Sequence, residues 1–206
     1  ELHGAHGYVL SQFLSAEINR RGDRYGGTLE NRARLLFEIV AAVRARCRPD
    51  FLLGVRLSPE RFGLKLGEIR DVAGQLLAGG AIDLLDLSLW DVLKEPEEPD
   101  FKGRSLLSYF TELDRGAVRI GAAGKVLGGA DAQRVLDDGA DFAIIGRGAI
   151  LHHDFPWRVQ ADPGFRAVSP PVTADYLRSE GLGPAFIAYM GNWKGFVAQS
   201  SEQARQ

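Results

Sequence analysis

The chain has 206 residues, and its 25 Lys and Arg residues against 27 Asp and Glu residues give a formal net charge of −2, which excludes the basic footprint typical of nucleic-acid-binding proteins. Hydrophobic residues make up 45% of the chain and charged residues 25%, as in ordinary globular domains, so the composition excludes a disordered or fibrous protein. The single cysteine, Cys47, excludes an internal disulfide, a multi-cysteine zinc site and a four-cysteine iron–sulfur cluster.

Short apolar runs alternate with amphipathic segments through most of the chain. We predict strands at 52–57, 82–88, 117–121 and 141–145, and helices at 28–46, 67–78, 105–113 and 131–138. Residues 1–3 fit the end of a further strand, and after about residue 163 the pattern changes to short helices in a proline-interrupted tail, the last of them near 184–190. Thr28 and Thr173 are predicted to cap the helices that follow them. Strands that alternate with helices at this spacing predict βαβ units and a parallel sheet.

The number of predicted strands falls short of a complete (β/α)8 barrel, which has eight strands and typically about 250 residues. The pattern therefore leaves two alternatives, an open α/β sheet or the C-terminal part of a barrel. The only methionine is Met190, so we interpret the sequence as a piece of a longer chain. No apolar run approaches the roughly 18 residues of a membrane span, and no signal peptide is visible, so we expect a cytoplasmic protein.

Two histidines and a tyrosine, His3, His6 and Tyr8, lie close together where the first predicted strand ends. In barrels the carboxyl ends of the strands carry the catalytic groups. Two imidazoles can donate to one carbonyl oxygen, and a tyrosine hydroxyl is a proton source at neutral pH. The alternatives are ordinary loop hydrogen bonding and a metal site, and a metal site lacks carboxylate or thiolate ligands nearby, so we predict no metal.

Arg56 ends a strand that is otherwise apolar, so its guanidinium needs a buried acceptor, either a cofactor ring or phosphate or a neighbouring carboxylate. Glycine-rich segments follow the last two predicted strands, at 121–125 and 146–148. Small residues let backbone N–H groups approach a phosphate, and Arg147 adds a guanidinium fork. Barrels often bind phosphate in the loops after strands seven and eight, so we interpret these as the last two strands. Ordinary glycine turns are the alternative.

Other polar and aromatic residues are given structural interpretations. The charged segment at 19–32 is expected to be structural, with its acidic and amide side chains binding its arginines. His152 and His153 are interpreted as cations near a helix C-terminus. Trp90 lies just after a strand and is assigned either to a pocket wall or to a packed rim.

Taken together, these residues resemble the Old Yellow Enzyme family of FMN-dependent NAD(P)H oxidoreductases. The resemblance covers about residues 1 to 155 and is carried by HGAHGY at 3–8, QFLS at 12–15, NRR at 19–21, DRYGG at 23–27, ENRAR at 30–34, GVRLSP at 54–59 and GR at 146–147. It implies an FMN-binding (β/α)8 TIM barrel, with residues 1–160 forming roughly its C-terminal half, from the end of strand 4 to strand 8. Residues 161–206 would be a C-terminal helical extension.

The resemblance also implies an FMN-dependent reduction of activated alkenes, with NADH or NADPH as the reductant. His3 and His6 would hold a substrate carbonyl or a phenolate, and Tyr8 would protonate the alpha carbon of the alkene. Arg56 would lie against the flavin ring. Four further residues would bind the FMN phosphate, namely Ala123, Gly124, Gly146 and Arg147. Many relatives have glycine at the position of Ala123, and a backbone N–H contact survives there if its φ is negative.

Two alternatives from other functional classes stay open. The first is an incomplete, non-catalytic half-barrel that binds FMN or phosphate, or self-associates through exposed strand edges. The second is a flavin-free, phosphate-binding isomerase or lyase, for which Asp86 and Lys125 are loose candidates. The expected partners are a small-molecule alkene or carbonyl substrate and a second copy of the chain in a homo-oligomer, with no nucleic acid and no membrane.

Overall fold

The structure, a computed structural model, describes residues 1–198, and its contacts divide the chain into two compact units. The first unit comprises residues 1–124 and 131–144, and the second comprises 125–130 and the described residues from 145 onward. In the described part of the chain, no helix is long and apolar enough to cross a membrane. The domain boundary expected at residue 160 stays a prediction.

The first unit is built on a parallel sheet, which has five strands within the described residues and the order β1-β2-β3-β4-β5. The strands are Leu2–Gly4 (β1), Gly54–Leu57 (β2), Leu84–Ser88 (β3), Arg119–Ala123 (β4) and Phe142–Ile144 (β5). Each strand pairs in parallel with the strand that follows it in the sequence. This sheet confirms the α/β class that the alternating pattern predicts.

The two faces of the sheet differ in polarity, because successive strand residues point to opposite faces. One face is made of fully buried apolar side chains: Val55, Leu57, Leu85, Leu87, Ile120 and Ala122. On the other face, the strand register places His3, Arg56, Asp86 and Gly121 side by side in one row. The apolar face belongs to the core, whereas the row is the polar feature from which the candidate site is built.

Helices connect the strands and continue beyond them. They are Val9–Leu14 (α1), Leu29–Arg46 (α2), Leu66–Ala78 (α3), Ser108–Thr111 (α4), Gly129–Asp137 (α5), Arg147–Leu151 (α6), Phe155–Ala161 (α7), Ala174–Ser179 (α8) and Pro184–Gly191 (α9). The long helix α2 begins as predicted, because the Thr28 hydroxyl accepts the N–H of Asn31 at 3.4 Å and Glu30 lies in the first turn.

Arginines hold the charged segment before α2 and the helix itself in place. Arg21 donates to Asp23 at 3.0 Å, and Arg34 donates to Asn31 at 2.7 Å. Arg32 is only 3% exposed, and its guanidinium donates to the Leu14 carbonyl at the end of α1 and forms an ion pair with Glu68 of α3. The structural role predicted for this segment is confirmed by these bonds.

All four strands predicted from residue 52 onward begin one or two residues later than predicted, and two of them show why. The strand predicted at 52–57 begins only at Gly54, and Leu52 is 70% exposed ahead of it. The strand predicted at 117–121 lies two residues later, because its register continues to the pair of Ala123 with Ser88. In both cases the apolar run marks the strand, whereas pairing with the neighbouring strand decides where it starts and ends.

The second unit has a core of its own. It is formed by Leu151, Phe155, Ala167, Val172, Leu177, Ile187, Met190 and Phe196. Helix α8 begins at the predicted cap, where the Thr173 hydroxyl accepts the N–H of Tyr176 at 3.1 Å. The short helices expected at the end of the chain are therefore present as α8 and α9.

Candidate active site

The loop that follows β1 brings His3, His6 and Tyr8 together. The centroid of the His3 ring lies 5.1 Å from that of His6 and 5.3 Å from that of Tyr8. The loop turns tightly through positive φ angles of 58° at His6 and 73° at Gly7, and the backbone N–H of His6 donates to the Ser58 hydroxyl at 3.0 Å. Tyr8 is 62% exposed, so a ligand can approach its hydroxyl from solvent.

The two histidines are electrostatically tuned toward their neutral forms. Partial burial lowers the pKa of His3 below its ordinary value of 6.5, and the positive charge of Arg56 lowers it further. Burial and Arg56 lower the pKa of His6 in the same way, with a smaller contribution from His3. Both imidazoles are therefore neutral at pH 7, and each can donate one ring N–H to a carbonyl oxygen.

We expect the substitution Arg56→Met to raise the pKa of both His3 and His6, because it removes a positive charge that disfavours protonation of each ring. The measurement is an NMR titration of the imidazole carbon-bound protons. His152 is an internal control, because burial, not Arg56, lowers its pKa. Unchanged titration of His3 and His6 would show that Arg56 does not act on them electrostatically.

Arg56 has its acceptors on the neighbouring strand. Its Nε lies 2.6 Å from the Ser88 hydroxyl and 3.1 Å from Oδ2 of Asp86. The neighbouring carboxylate that the sequence left open as a partner is therefore Asp86. Within residues 1–198, the two terminal NH2 groups of Arg56 have no hydrogen-bond partner, so they stay available for an electron-rich ligand. The sequence offered Asp86 only as a loose candidate for a flavin-free isomerase or lyase, and Ser88 was detectable only as a polar residue at the end of an apolar strand.

The first predicted phosphate loop continues from β4. The φ of Ala123 is not positive, so the condition for a backbone N–H contact at this residue is met. Gly124 has a φ of 155°, and a Cβ there would lie 2.7 Å from the backbone nitrogen of Asp91. The Gly124 carbonyl accepts the N–H of Val92 at 3.0 Å. Glycine is therefore required at 124 by the close approach of the loop that follows β3.

The second predicted phosphate loop belongs to the second unit. Gly146 precedes α6, and a Cβ built on it meets nothing within 4 Å. Arg147 is exposed, and its side chain forms no hydrogen bond or ion pair with any residue that the structure describes. By contrast, Gly148 is buried, and a Cβ there would lie 2.9 Å from the Phe155 ring. Gly148 thus serves packing, whereas Gly146 and Arg147 leave room for a ligand.

Trp90 lies in an exposed loop directly after β3. It is 56% exposed and has a φ of 67°, which is unusual for a bulky residue. The Arg61 guanidinium lies 4.6 Å from the centroid of its ring and also donates to Glu97 at 2.8 Å. Of the two roles left open by the sequence, the structure places Trp90 at an exposed rim, held from one side by Arg61.

Side chains in the second unit form a cluster with metal-ligand chemistry. Ligand atoms of His152, Asp154 and Glu180 lie within 4.8 Å of one another. However, Nε2 of His152 accepts the N–H of Val168 at 3.0 Å, so the ring proton of the neutral form lies on Nδ1 and a metal there would require an imidazolate. Burial lowers the pKa of His152, so the ring is neutral and not the cation suggested by its position. The arrangement fits a structural hydrogen-bond network.

Comparison with known proteins identifies relatives of this chain. The family model of the NADH:flavin oxidoreductase / NADH oxidase family matches residues 1–163. An NADPH dehydrogenase of Bacillus cytotoxicus is 34% identical over 175 residues, which are 82% of this chain and 49% of that protein. An NADPH dehydrogenase of Bacillus pumilus is 36% identical over 188 residues, or 89% of this chain and 50% of that protein.

Solved structures are similar over the same region. Morphinone reductase in complex with tetrahydroNAD superposes with a TM-score of 0.62 at 28% sequence identity, covering 85% of this chain and 45% of that one. The chain spans about half the length of the curated relatives it matches.

Proposed function

Because the chain belongs to the NADH:flavin oxidoreductase / NADH oxidase family, the Old Yellow Enzyme family, we propose that it carries the substrate-binding and proton-donating half of an FMN-dependent NAD(P)H oxidoreductase that reduces activated alkenes. Its parallel sheet is part of a (β/α)8 barrel, the fold of its structural relatives. The observation that carries the proposal is the grouping of His3, His6 and Tyr8 at the exit of β1, beside Arg56.

The two histidines bind the carbonyl oxygen of the substrate in this proposal. Their lowered pKa values keep both rings neutral, so they donate hydrogen bonds without adding full positive charges. Hydrogen bonds to the oxygen draw electrons from the conjugated double bond and make its beta carbon a better hydride acceptor. A phenolate that mimics the polarised oxygen binds to the same pair of donors.

Tyr8 supplies the proton. Its ring is held 5.3 Å from that of His3, while its exposure leaves the hydroxyl accessible to a bound molecule. Proton transfer from the Tyr8 oxygen to the alpha carbon completes the reduction, and the tyrosine regains a proton from solvent.

The residues around Arg56 and the glycine loops fit FMN. When bound, FMN supplies the two-electron chemistry that links a nicotinamide to the alkene. The terminal NH2 groups of Arg56, which have no hydrogen-bond partner among residues 1–198, would hold its electron-rich ring. In the first unit, the backbone at Ala123 and Gly124 is a candidate for binding its phosphate. In the second unit, Gly146 and the exposed Arg147 are a separate candidate for the same role.

The proposal is tested by adding FMN to the purified chain and following flavin fluorescence. We expect FMN to bind, and a phenol to perturb the spectrum of the bound flavin. Arg147→Met is expected to weaken FMN binding by about 10- to 150-fold, which corresponds to about 1.5–3 kcal/mol for a charged hydrogen bond. Arg158→Met is the matched control, because Arg158 is an exposed arginine already bound to Asp154 at 2.6 Å.

The two principal outcomes separate the alternatives. FMN binding without any effect of a phenol would favour a non-catalytic, FMN-binding half-barrel. No FMN binding at micromolar concentrations would overturn the proposal for this chain.

A further inference from the structure

Asp86 is a buried carboxyl group with an incomplete set of partners. It lies in the middle of β3 between Leu85 and Leu87, and it is 6% exposed. Its Oδ2 lies 3.1 Å from Nε of Arg56, whereas its Oδ1 has no hydrogen-bond partner among residues 1–198. An ionised carboxylate with one unsatisfied buried oxygen is costly, so this site does not fully stabilise the charged form.

The surroundings of Asp86 place its ionisation in the neutral range. Burial raises the pKa of Asp86 to about 7, against the opposing effect of Arg56 on β2, and the Glu1 carboxyl adds to the increase. His3 on β1 lies in the same row, beyond Arg56, and is neutral. On the other side of Asp86, β4 presents only Gly121, which carries no charge. The net charge of this row is therefore set mainly by the carboxyl group of Asp86 and the guanidinium of Arg56.

We propose that Asp86 is a positioning residue for Arg56 whose gain or loss of a proton changes the positive charge that Arg56 presents to an anionic ring on this face of the sheet. The inference rests on the proposed function, in which that ring is the flavin. As a carboxylate, Asp86 largely cancels the charge of Arg56. As a neutral acid, it leaves the charge of Arg56 uncompensated, which favours the negative charge that a flavin carries when reduced.

Ser88 is a second hydrogen-bond partner of Arg56. It allows the orientation of Arg56 to be tested separately from the titration of Asp86. Its hydroxyl accepts from Nε of Arg56 at 2.6 Å and does not titrate in the neutral range. Removing Ser88 therefore weakens the orientation of Arg56 without removing the titrating group. Removing the Asp86 carboxyl abolishes the titration, while an asparagine keeps its shape and an oxygen acceptor for Arg56.

The first test needs no flavin. The imidazole signals of His3 and His6 are followed by NMR from pH 5 to 9 in the wild-type chain, Asp86→Asn and Ser88→Ala. We expect an inflection near pH 7 in the wild type and in Ser88→Ala, because ionisation of Asp86 changes the charge balance around Arg56. We expect this inflection to be lost in Asp86→Asn. Asp83→Asn is the control in the same segment, because hydrogen bonds from the Leu53 N–H and from Arg44 lower the pKa of Asp83.

The second test uses bound FMN. The dissociation constants of oxidised and dithionite-reduced FMN are compared at pH 6 and pH 8 in the wild type, Asp83→Asn and Asp86→Asn. The preference for reduced FMN is the dissociation constant of oxidised FMN divided by that of reduced FMN. From pH 6 to pH 8, we expect this ratio to fall by about tenfold more in the wild type than in Asp86→Asn, as a coupling of about one pKa unit requires. Asp83→Asn should behave like the wild type.

The outcomes distinguish this inference from the proposed function. An inflection near pH 7 that persists in Asp86→Asn, or is missing in the wild type, overturns the role of Asp86 whether or not FMN binds. Absence of FMN binding overturns the proposed function for this chain, while the flavin-free titration still decides whether Asp86 controls the charge of the row. An equal pH dependence of FMN preference in wild type and Asp86→Asn also contradicts the inference.

Discussion

Replacing Tyr8 by phenylalanine is expected to slow reduction of an activated alkene by about 10²- to 10⁴-fold, the range that a positioned general acid contributes. The substitution removes only the hydroxyl, so the aromatic ring keeps its place 5.3 Å from the ring of His3. Binding of the substrate carbonyl at His3 and His6 should therefore change little. Reduction of the flavin by NAD(P)H requires no proton from Tyr8 and should proceed at nearly the wild-type rate.

Stopped-flow absorbance of the flavin-loaded enzyme measures the two half-reactions separately. Tyr189→Phe is a suitable control, because Tyr189 is also an exposed tyrosine, 53% accessible, on α9. It should leave both half-reactions unchanged. Equal losses in the two half-reactions of Tyr8→Phe would contradict the role as proton donor and point to a general disturbance of the loop.

Replacing Arg32 by methionine is expected to lower the free energy of unfolding by about 2–4 kcal/mol. The buried guanidinium binds the Leu14 carbonyl, the Gly27 carbonyl at 3.1 Å and the Glu68 carboxylate. Methionine fills much of the same volume but satisfies none of these acceptors. Glu68 is 31% exposed and can recover part of its hydration, which keeps the expected loss below that of a fully buried pair.

Urea denaturation followed by circular dichroism measures the change in the free energy of unfolding. Arg34→Met is the matched control on the same helix, because Arg34 is 33% exposed and its partner Glu30 is 84% exposed. It should cost about 1 kcal/mol or less, as surface ion pairs do. Similar losses in the two variants would show that the burial of Arg32 does not determine its contribution.

The sequence predicts those helices whose signals are local. Helix α2 and helix α8 each begin at a threonine whose hydroxyl caps the first turn, and both were predicted at these residues. The short helices α1 and α7 were not predicted, and neither has a side-chain hydrogen bond at its N-cap. Without a capping signal and with at most seven residues, such helices depend on tertiary packing.

In the candidate site too, the sequence predicts the groupings that are local and not those that depend on tertiary contacts. His3, His6 and Tyr8 could be grouped from the sequence, because they lie within one short loop after a strand. The contact of Arg56 with Asp86 could not, because it depends on the register between two strands that are separated by α3. A one-residue change of that register would move Asp86 to the apolar face, and no local pattern specifies the pairing to that accuracy.

The sequential order of the sheet also bears on how the chain folds. Every described strand pairs with its neighbour in sequence, so each closing step spans only the connection between two consecutive strands. Parallel pairing is slow when distant segments must meet, and the entropy of closing a loop grows with its length. A sheet of this order can grow strand by strand in the direction of synthesis. Arg56 meets His3 when β2 joins β1 and meets Asp86 when β3 joins, so the three polar side chains of the row are together before β4 adds Gly121.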